Sequence, residues 1–169
     1  MVYSISQHRE VPITVTKDYC MYDNGCNDII LYNVYAKMDK IEHVGYLELE
    51  DTKNGVKVLY IENQQPKLFR HFAQAADQIE VEHCMNRGIA NPYIQSVAAI
   101  GSHIKHYKRG KRFMDEGTNI YFNCLLRKLK KGEHIITRFM GLKKMYMPTD
   151  LVNEIKDKIK IKPLLIGLR

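Results

Sequence analysis

The first third of the chain has the hydrophobic pattern of β-strands, with a clear alternation of apolar and polar residues at 42–50. β-branched and aromatic runs occur at residues 12–16, 29–38, 42–50 and 56–62, and the last three are separated by turn-forming residues. Period-two alternation in neighbouring segments that are joined by tight turns is typical of an antiparallel meander. We therefore predict four strands, with a loop over residues 18–28.

After Pro66 the period changes to that of a helix. The positions that recur at spacings of three and four are Phe69, Phe72, Ala76, Ile79 and His83. They predict one amphipathic helix over residues 67–87. Pro66 is tolerated at a helix start, and Gly88 suits a left-handed cap just past its end.

Shorter elements follow this long helix. The pattern predicts a buried strand at 92–98, a helix at 101–109 that ends at a glycine, and a strand at 119–129. From residue 135 the pattern weakens, until Thr149 begins a predicted C-terminal helix over residues 149–160. We find no internal repeat and no low-complexity linker, so we predict a single domain over all 169 residues.

Composition is that of a folded domain. Apolar residues make up 45% of the chain and charged residues 27%, which excludes the disordered and fibrous classes. No apolar run is long enough to cross a bilayer, and the N-terminus lacks the apolar core of a signal peptide, so we predict a cytoplasmic protein without a membrane partner. The four cysteines, Cys20, Cys26, Cys84 and Cys124, are then expected to be reduced and to bind no metal.

Charge is distributed unevenly along the chain. Residues 1–102 hold 9 basic and 13 acidic residues, a net charge of −4, whereas residues 103–169 hold 17 basic and 6 acidic residues, a net charge of +11. The centre of the basic part is a run without any acid: Lys105, Lys108, Arg109, Lys111 and Arg112. A basic half of this kind predicts an anionic partner, such as phosphate or nucleic acid.

The order of the elements, together with the run from Tyr107 to Phe113 (YKRGKRF), resembles the GNAT family of N-acetyltransferases over residues 29–129. The residues that match the family's signature are Ala98, Ala99, Ser102, Tyr107, Gly110 and Phe113. Two residues separate Gly110 from Phe113, where the family usually has none. The resemblance implies an α+β fold with a mixed, mostly antiparallel central sheet and helices on both faces. It also implies acetyl-CoA as a substrate, an amine as the acceptor and a homodimer.

The resemblance places the coenzyme A pyrophosphate at the N-terminus of the long helix. The family's loop there contains glycines, which let backbone N–H groups close on the phosphates, but residues 63–73 contain none. Either the loop follows a different path, with side chains supplying the positive charge, or the fold persists without the cofactor. The candidate cofactor-binding residues are Lys67, Arg70, His71, Phe72, Ser102 and Lys105. The segment 17–28 is also too short for the two helices that the family usually has between its first two strands.

Two catalytic roles follow from the resemblance. Tyr107 matches the tyrosine that protonates the leaving thiolate, and Glu62, at the end of the fourth strand, is the candidate base for the amine, with Glu48 and Glu50 as alternatives. Each residue also has a purely structural interpretation. Tyr107 is then a half-buried anchor, and the carboxylates are solvated or paired with lysine.

His83 and Ser96 have ordinary interpretations as well. His83 lies beside Glu80 and Cys84, but adjacent residues point about 100° apart around a helix, so a packed histidine is favoured over a metal ligand. Ser96, on a buried strand, is interpreted as a satisfied core hydroxyl rather than a substrate-binding group.

Two functions remain open from the sequence. The first is an N-acetyltransferase-like enzyme that uses acetyl-CoA. The second is a non-catalytic relative whose basic C-terminal half binds nucleic acid or an acidic protein, with Tyr121, Phe122, Phe139 and Tyr146 available for stacking on bases. The glycine-free loop favours the second function, whereas the order of elements and the signature that contains Tyr107 favour the first.

Overall fold

The computed structural model describes residues 1–20, 28–98, 102–128 and 142–168. Its strands are β1 (Val2–Ser4), β2 (Arg9–Val11), β3 (Ile13–Cys20), β4 (Ile29–Lys37), β5 (Ile41–Thr52), β6 (Gly55–Asn63), β7 (Phe69–Arg70), β8 (Tyr93–Ala98), β9 (Arg112–Phe113) and β10 (Lys143–Tyr146). Its helices are α1 (Phe72–Asn86), α2 (His103–Lys108), α3 (Glu116–Lys128) and α4 (Thr149–Ile161).

Most strands form one seven-stranded sheet with the order β3-β4-β5-β6-β8-β10-β9. The pair β6–β8 is parallel, and the other neighbouring pairs described are antiparallel. A second, three-stranded sheet has the order β2-β1-β7. The predicted α+β class, with a mixed and mostly antiparallel central sheet, is confirmed.

The core lies on one face of the large sheet, called the inner face below. Alternate residues of β4 are buried on it, namely Ile30, Tyr32, Val34 and Ala36. They share a core with apolar residues of α1 and α4. A second cluster, which joins α2 and α3 to the sheet, uses Ala98 and Met145. These two residues lie on the same face as Ile94 because side chains alternate along each strand and Met145 pairs with Ser96. We expected helices on both faces of the sheet. Within the described residues, the helices of both clusters pack on the inner face.

The sheet opens between β6 and β8. At the start of β6, Gly55 lies so close to Tyr93 that an added Cβ would sit 2.0 Å from its carbonyl oxygen. The parallel ladder then ends at the pair Val58–Ser96, although β6 continues to Asn63. The last residues of β6 therefore have no β8 partner in the ladder, and a cleft forms beyond them.

The helix predicted to begin at residue 67 begins at Phe72 instead. Leu68 and Phe69 donate backbone hydrogen bonds to the carbonyl of Gln65 in a turn, after which β7 pairs with β1. Phe69 is buried, with 1% of its surface exposed, because it belongs to the small sheet. Its helical spacing to Phe72 was therefore coincidental. The predicted end is correct to within one residue, since Gly88 has a φ of 79° just past α1.

The strand predicted at 119–129 was wrong, because residues 116–128 form α3. The local signals are helical: Asp115 accepts a hydrogen bond from the Thr118 N–H at 3.0 Å, and the buried residues Asn119 and Phe122 are three apart. The apolar run in this segment matched the pattern of a strand, but its residues form an apolar face of α3.

The remaining predictions agree closely with the structure. The other long strands and the C-terminal helix are found within a few residues of their predicted bounds, although β3 extends through Cys20 into the predicted loop.

The turn at Asp23 to Gly25, Ala99 and Phe139 lie outside the described residues. Cys84 and Cys124 are free thiols. No helix in the described ranges is both long and apolar enough to cross a membrane.

Candidate active site

A cleft of about 680 Å³ lies where β6 leaves the sheet. Its walls are the end of β6, the loop before α1, the first turn of α1 and one side of α2. Six of its lining side chains are basic or imidazole groups: Arg70, His71, Lys105, His106, Lys108 and Arg109. Among the described residues no acidic side chain lines it, so the cleft is suited to an anion.

Five of the six predicted cofactor-binding residues line this cleft: Arg70, His71, Phe72, Ser102 and Lys105. They come from the loop before α1 and from the start of α2, so only the fold brings them together. The sixth, Lys67, is exposed and does not line the cleft.

His71 provides the backbone conformation that glycine usually provides. It precedes the first residue of α1 and has φ 64° and ψ 18°, in the left-handed region. Its imidazole Nδ1 lies 2.9 Å from a carboxylate oxygen of Glu10 on β2. The first backbone N–H groups of a helix have no partner within the helix and carry its positive end, so this terminus adds to the anion-binding character of the cleft.

A buried ionic cluster supports the cleft from behind. Arg109 donates through Nε to Asp77 Oδ2 at 2.9 Å, and its Nη2 donates to His106 Nδ1 at 3.0 Å. Lys111 Nζ lies 3.1 Å from Asp77 Oδ1 and 3.7 Å from Glu80 Oε2. Asp77 and Glu80 belong to α1, so the cluster joins that helix to the end of α2.

The pKa values in this cluster follow from burial and charge together. Burial would raise the pKa of Asp77, but Lys111 and Arg109 outweigh it and hold that pKa below its ordinary value. Burial raises the pKa of Glu80 to about 7, because the attraction of Lys111 offsets it only in part. Burial, with the nearby cations Lys111 and Arg109, lowers the pKa of His106 to about 4. His106 is therefore neutral at pH 7, and its Nδ1 can accept the hydrogen bond from Arg109.

The acid-free basic run is not a uniform solvated surface. Lys111 is 1% exposed and is held by the two acids of α1. Arg112 lies over the ring of Tyr107, with 4.1 Å between its guanidinium carbon and the ring centroid. Lys105 and Lys108 are exposed and line the cleft. The charge available to a ligand is therefore concentrated at one wall of the cleft.

Tyr107 is packed into an aromatic cluster beside the cleft. Its ring stacks on Phe113 at 6.0 Å and meets Phe122 edge-on at 5.0 Å, and 9% of the residue is exposed. Its neighbours His106 and Lys108 line the cleft, whereas Tyr107 is not among the lining residues. The structure therefore does not bring Tyr107 together with the predicted cofactor-binding residues.

Glu62 belongs to the opposite, outer face of the sheet. It pairs with Tyr46 in the β5–β6 register, and a hydrogen bond to Glu62 raises the pKa of Tyr46 to about 12. Tyr46 stacks on Tyr60 with ring centroids 5.6 Å apart, and Tyr60 pairs with Glu48. Glu62, its alternative Glu48 and two tyrosines thus form one acidic and aromatic strip on this face.

Sequence reasoning missed Asp77 and Glu80 as parts of the site. One signal was present, because α1 contains Asp77, Glu80 and Glu82 but no lysine or arginine. Acids on a predicted buried helix without basic neighbours need partners from elsewhere in the fold. That signal does not identify the partners, which lie more than thirty residues away in the chain.

Comparison with known proteins gives little beyond the geometry. No protein-family model matches the sequence, and no curated protein matches it. A solved structure from Bacteroides thetaiotaomicron, assigned to the GNAT family of acetyltransferases, aligns with 87% of this chain and 77% of its own chain, at 13% sequence identity and a TM-score of 0.30. A likeness at that TM-score supports no argument about function, so the proposal below depends on the residues of the cleft.

Proposed function

We propose that this protein is a GNAT-like N-acetyltransferase that binds acetyl-CoA in the basic cleft and transfers the acetyl group to an amine. The observation that carries the proposal is the convergence of Arg70, His71, Phe72, Ser102 and Lys105 on one cleft. These residues were selected from the sequence by resemblance alone.

The chemistry of the cleft fits a ligand that carries phosphate groups. Arg70, Lys105 and Lys108 are exposed at its walls, and the buried Asp77 orients Arg109 beside them. Its volume of about 680 Å³ is in the range of small-molecule and cofactor sites, roughly 300–1,000 Å³. His71, in a left-handed conformation, turns the chain into α1 in a loop that contains no glycine.

The acceptor amine would approach from the outer face, where the sheet opens beyond Val58 and Ser96. Carboxylates and tyrosine rings attract an alkylammonium ion by charge and by cation–π interaction. Within the described residues, neither Glu48 nor Glu62 has a salt-bridge partner. The strip therefore favours an amine that arrives positively charged.

Bound acetyl-CoA would supply the acetyl thioester that the amine attacks. Glu62 accepts the proton that the ammonium group must lose before its nitrogen can attack. Tyr46 stays protonated because its pKa is raised to about 12, and its hydrogen bond to Glu62 orients the carboxylate. Tyr107 is kept as the proposed acid for the leaving thiolate on the resemblance alone. It lies beside the cleft and outside its lining, packed against Phe113, Phe122 and Arg112, so its substitution by phenylalanine decides between this role and a structural one.

Calorimetric titration with acetyl-CoA tests the cofactor step. We expect saturable binding with a Kd between about 1 μM and 1 mM, the usual range for substrates. Arg70→Gln and Lys105→Gln should each weaken binding about fivefold, because each removes a charge from the cleft wall. Lys57→Gln is the matched control, since Lys57 is an exposed lysine on the outer face of β6 and should bind like wild type.

Release of free thiol from acetyl-CoA in the presence of simple mono- and diamines tests the transfer. Absence of both binding heat and thiol release would overturn the proposal. If a short RNA instead binds with an affinity that falls steeply with salt and depends on Arg70 and Lys105, the non-catalytic alternative is the correct one.

A further inference from the structure

A separate pocket of about 350 Å³ lies at the other end of α1, between the helix and the inner face of the sheet. We call it the relay pocket. Its lining residues are Lys17, Tyr32, His83, Asn86, Arg87 and Leu168. Eleven residues separate Phe72, in the wall of the cleft, from His83, which corresponds to about 17 Å along the helix axis. The relay pocket is therefore distinct from the cleft.

A chain of hydrogen bonds forms the buried wall of the relay pocket. The Tyr32 hydroxyl lies 2.7 Å from His83 Nδ1, and His83 Nε2 lies 2.7 Å from Asp51 Oδ1. Burial lowers the pKa of His83, although Asp51 opposes the shift, so the imidazole is neutral at pH 7. The Tyr32 hydroxyl therefore donates to Nδ1, and the Nε2–H donates to the carboxylate. Tyr32 and His83 are 1% and 3% exposed, so this wall is fixed by packing as well as by hydrogen bonds.

The negative charge of Asp51 is already compensated. Arg87 Nη1 lies 3.3 Å from Asp51 Oδ1. The same guanidinium donates to the carbonyl oxygens of Gly55 and Thr52 at 2.6 and 2.8 Å. Asp51 and Arg87 thus neutralise each other at the edge of the pocket, and neither adds net charge to it.

Lys17 gives the relay pocket a positive charge that no carboxylate of the described residues pairs with. It pairs with Tyr32 in the β3–β4 register, so the two side chains lie on the same face of the sheet. Within the described residues, no carboxylate lies within 4.0 Å of its ammonium group. Its ammonium group does lie over the ring of Tyr19, 4.7 Å from the centroid.

We propose that the relay pocket binds a small monocarboxylate. The carboxylate would contact the Lys17 ammonium and the Asn86 side-chain amide, and the hydrocarbon end would lie against Leu168. Among the described residues that line the pocket, Lys17 is the one cation without a carboxylate partner, so it matches a single negative charge, whereas a doubly charged phosphate would need a second such cation. The pocket volume of about 350 Å³, at the small end of ligand sites, suits a ligand of only a few carbon atoms.

Titration with sodium butyrate, followed by NMR of ¹³C-labelled histidine and tyrosine rings, tests the proposal. We expect saturable shifts of the His83 and Tyr32 ring signals, because both rings line the pocket. n-Butylammonium chloride has the same carbon chain with the opposite charge, and it should produce no saturable shift at equal ionic strength. Equal responses to the two probes, or no saturable response to butyrate, would overturn the proposal.

Lys17→Met tests the charge directly, since methionine keeps an unbranched side chain of similar length. We expect butyrate to bind at least tenfold more weakly to this variant. Lys57→Met is the matched control, because Lys57 lies on the outer face of the same sheet and should leave butyrate binding unchanged. Unchanged affinity in Lys17→Met would contradict the proposal. If that variant does not fold, the comparison of butyrate with butylammonium on the wild-type protein decides by itself.

Discussion

Asp77 Oδ2 accepts a hydrogen bond from Arg109 Nε at 2.9 Å, and this contact joins the middle of α1 to the end of α2 behind the cleft. The side chains are 6% and 15% exposed. Arg109 lines the cleft and Asp77 does not. Asp77 therefore positions the Arg109 guanidinium for a ligand without contacting the ligand itself.

Replacement of Asp77 by asparagine should lower the free energy of unfolding by about 3 kcal/mol, since it leaves Lys111 and Arg109 with less compensating charge in a buried place. Urea denaturation measures the loss. Asp157→Asn is the control, because Asp157 forms an exposed pair with Lys160 and should change stability little. Equal effects of the two substitutions would show that the buried cluster contributes no more than a surface pair.

The pH dependence of stability should change in a defined direction when Glu80 is replaced by glutamine. The ordinary pKa of Glu80 is 4.5 and burial raises it to about 7 in the fold, so between these pH values the native protein holds a proton that the unfolded chain has lost. The contribution of Glu80 to stability is therefore complete below pH 4.5 and is lost as the pH rises through 7.

Glutamine does not titrate, so Glu80→Gln should gain stability relative to wild type as the pH rises from 4.5 to 7. The gain should be on the order of 1–3 kcal/mol. Urea unfolding of both proteins at the two ends of this range measures it. A difference between the proteins that stays constant with pH, or that changes in the opposite direction, would contradict the shifted pKa of Glu80.

Because His71 has a left-handed backbone, we expect glycine to be tolerated at this position better than a β-branched residue. His71→Gly should leave stability unchanged or raise it by up to about 1 kcal/mol, whereas His71→Val should lower it by about 1–2 kcal/mol, because β-branched residues are strained at a φ of 64°. Both variants lose the contact with Glu10, so their comparison isolates the backbone effect. At Gln74, exposed within α1, the order should reverse, since glycine is the poorer helix former. The same order at both positions would contradict the conformation of His71.

Tyr107→Phe separates catalysis from packing. The ring contacts with Phe113 and Phe122 remain, so we expect the melting temperature and acetyl-CoA affinity to stay close to wild type while turnover falls. Tyr121→Phe, on an exposed residue of α3, should leave turnover unchanged. If Tyr107→Phe turns over as fast as wild type, Tyr107 is a structural anchor and the acid is another group.

Local sequence patterns were sufficient to predict most of the helices and strands. The strands β4, β5 and β6 were predictable because their runs of β-branched and aromatic residues are separated by turn-forming residues, with clear alternation in β5. The prediction failed at Phe69 and at residues 119–129, where apolar residues match more than one period and tertiary contacts decide between them. The single domain, the homodimer and the cytoplasmic location remain predictions.

The candidate site was predictable only in part. Arg70, His71 and Lys105 were selected by resemblance, and the fold places all three at one cleft. The positions of Tyr107 outside the cleft lining and of Glu62 on the outer face were not predictable, because the direction of a side chain depends on the tertiary contacts of its neighbours.

The sequence by itself determined the α+β class, the order of most elements and the uneven distribution of charge, because periodicity and composition are properties of the chain. Only the tertiary structure decided which charges are available to a ligand. Lys111 and Lys105 belong to the same basic run, yet Lys111 is buried against Asp77 and Glu80 whereas Lys105 is exposed at the cleft. The physical reason is that ionic partners distant in the sequence compensate a charge only when the fold brings them within a few ångströms.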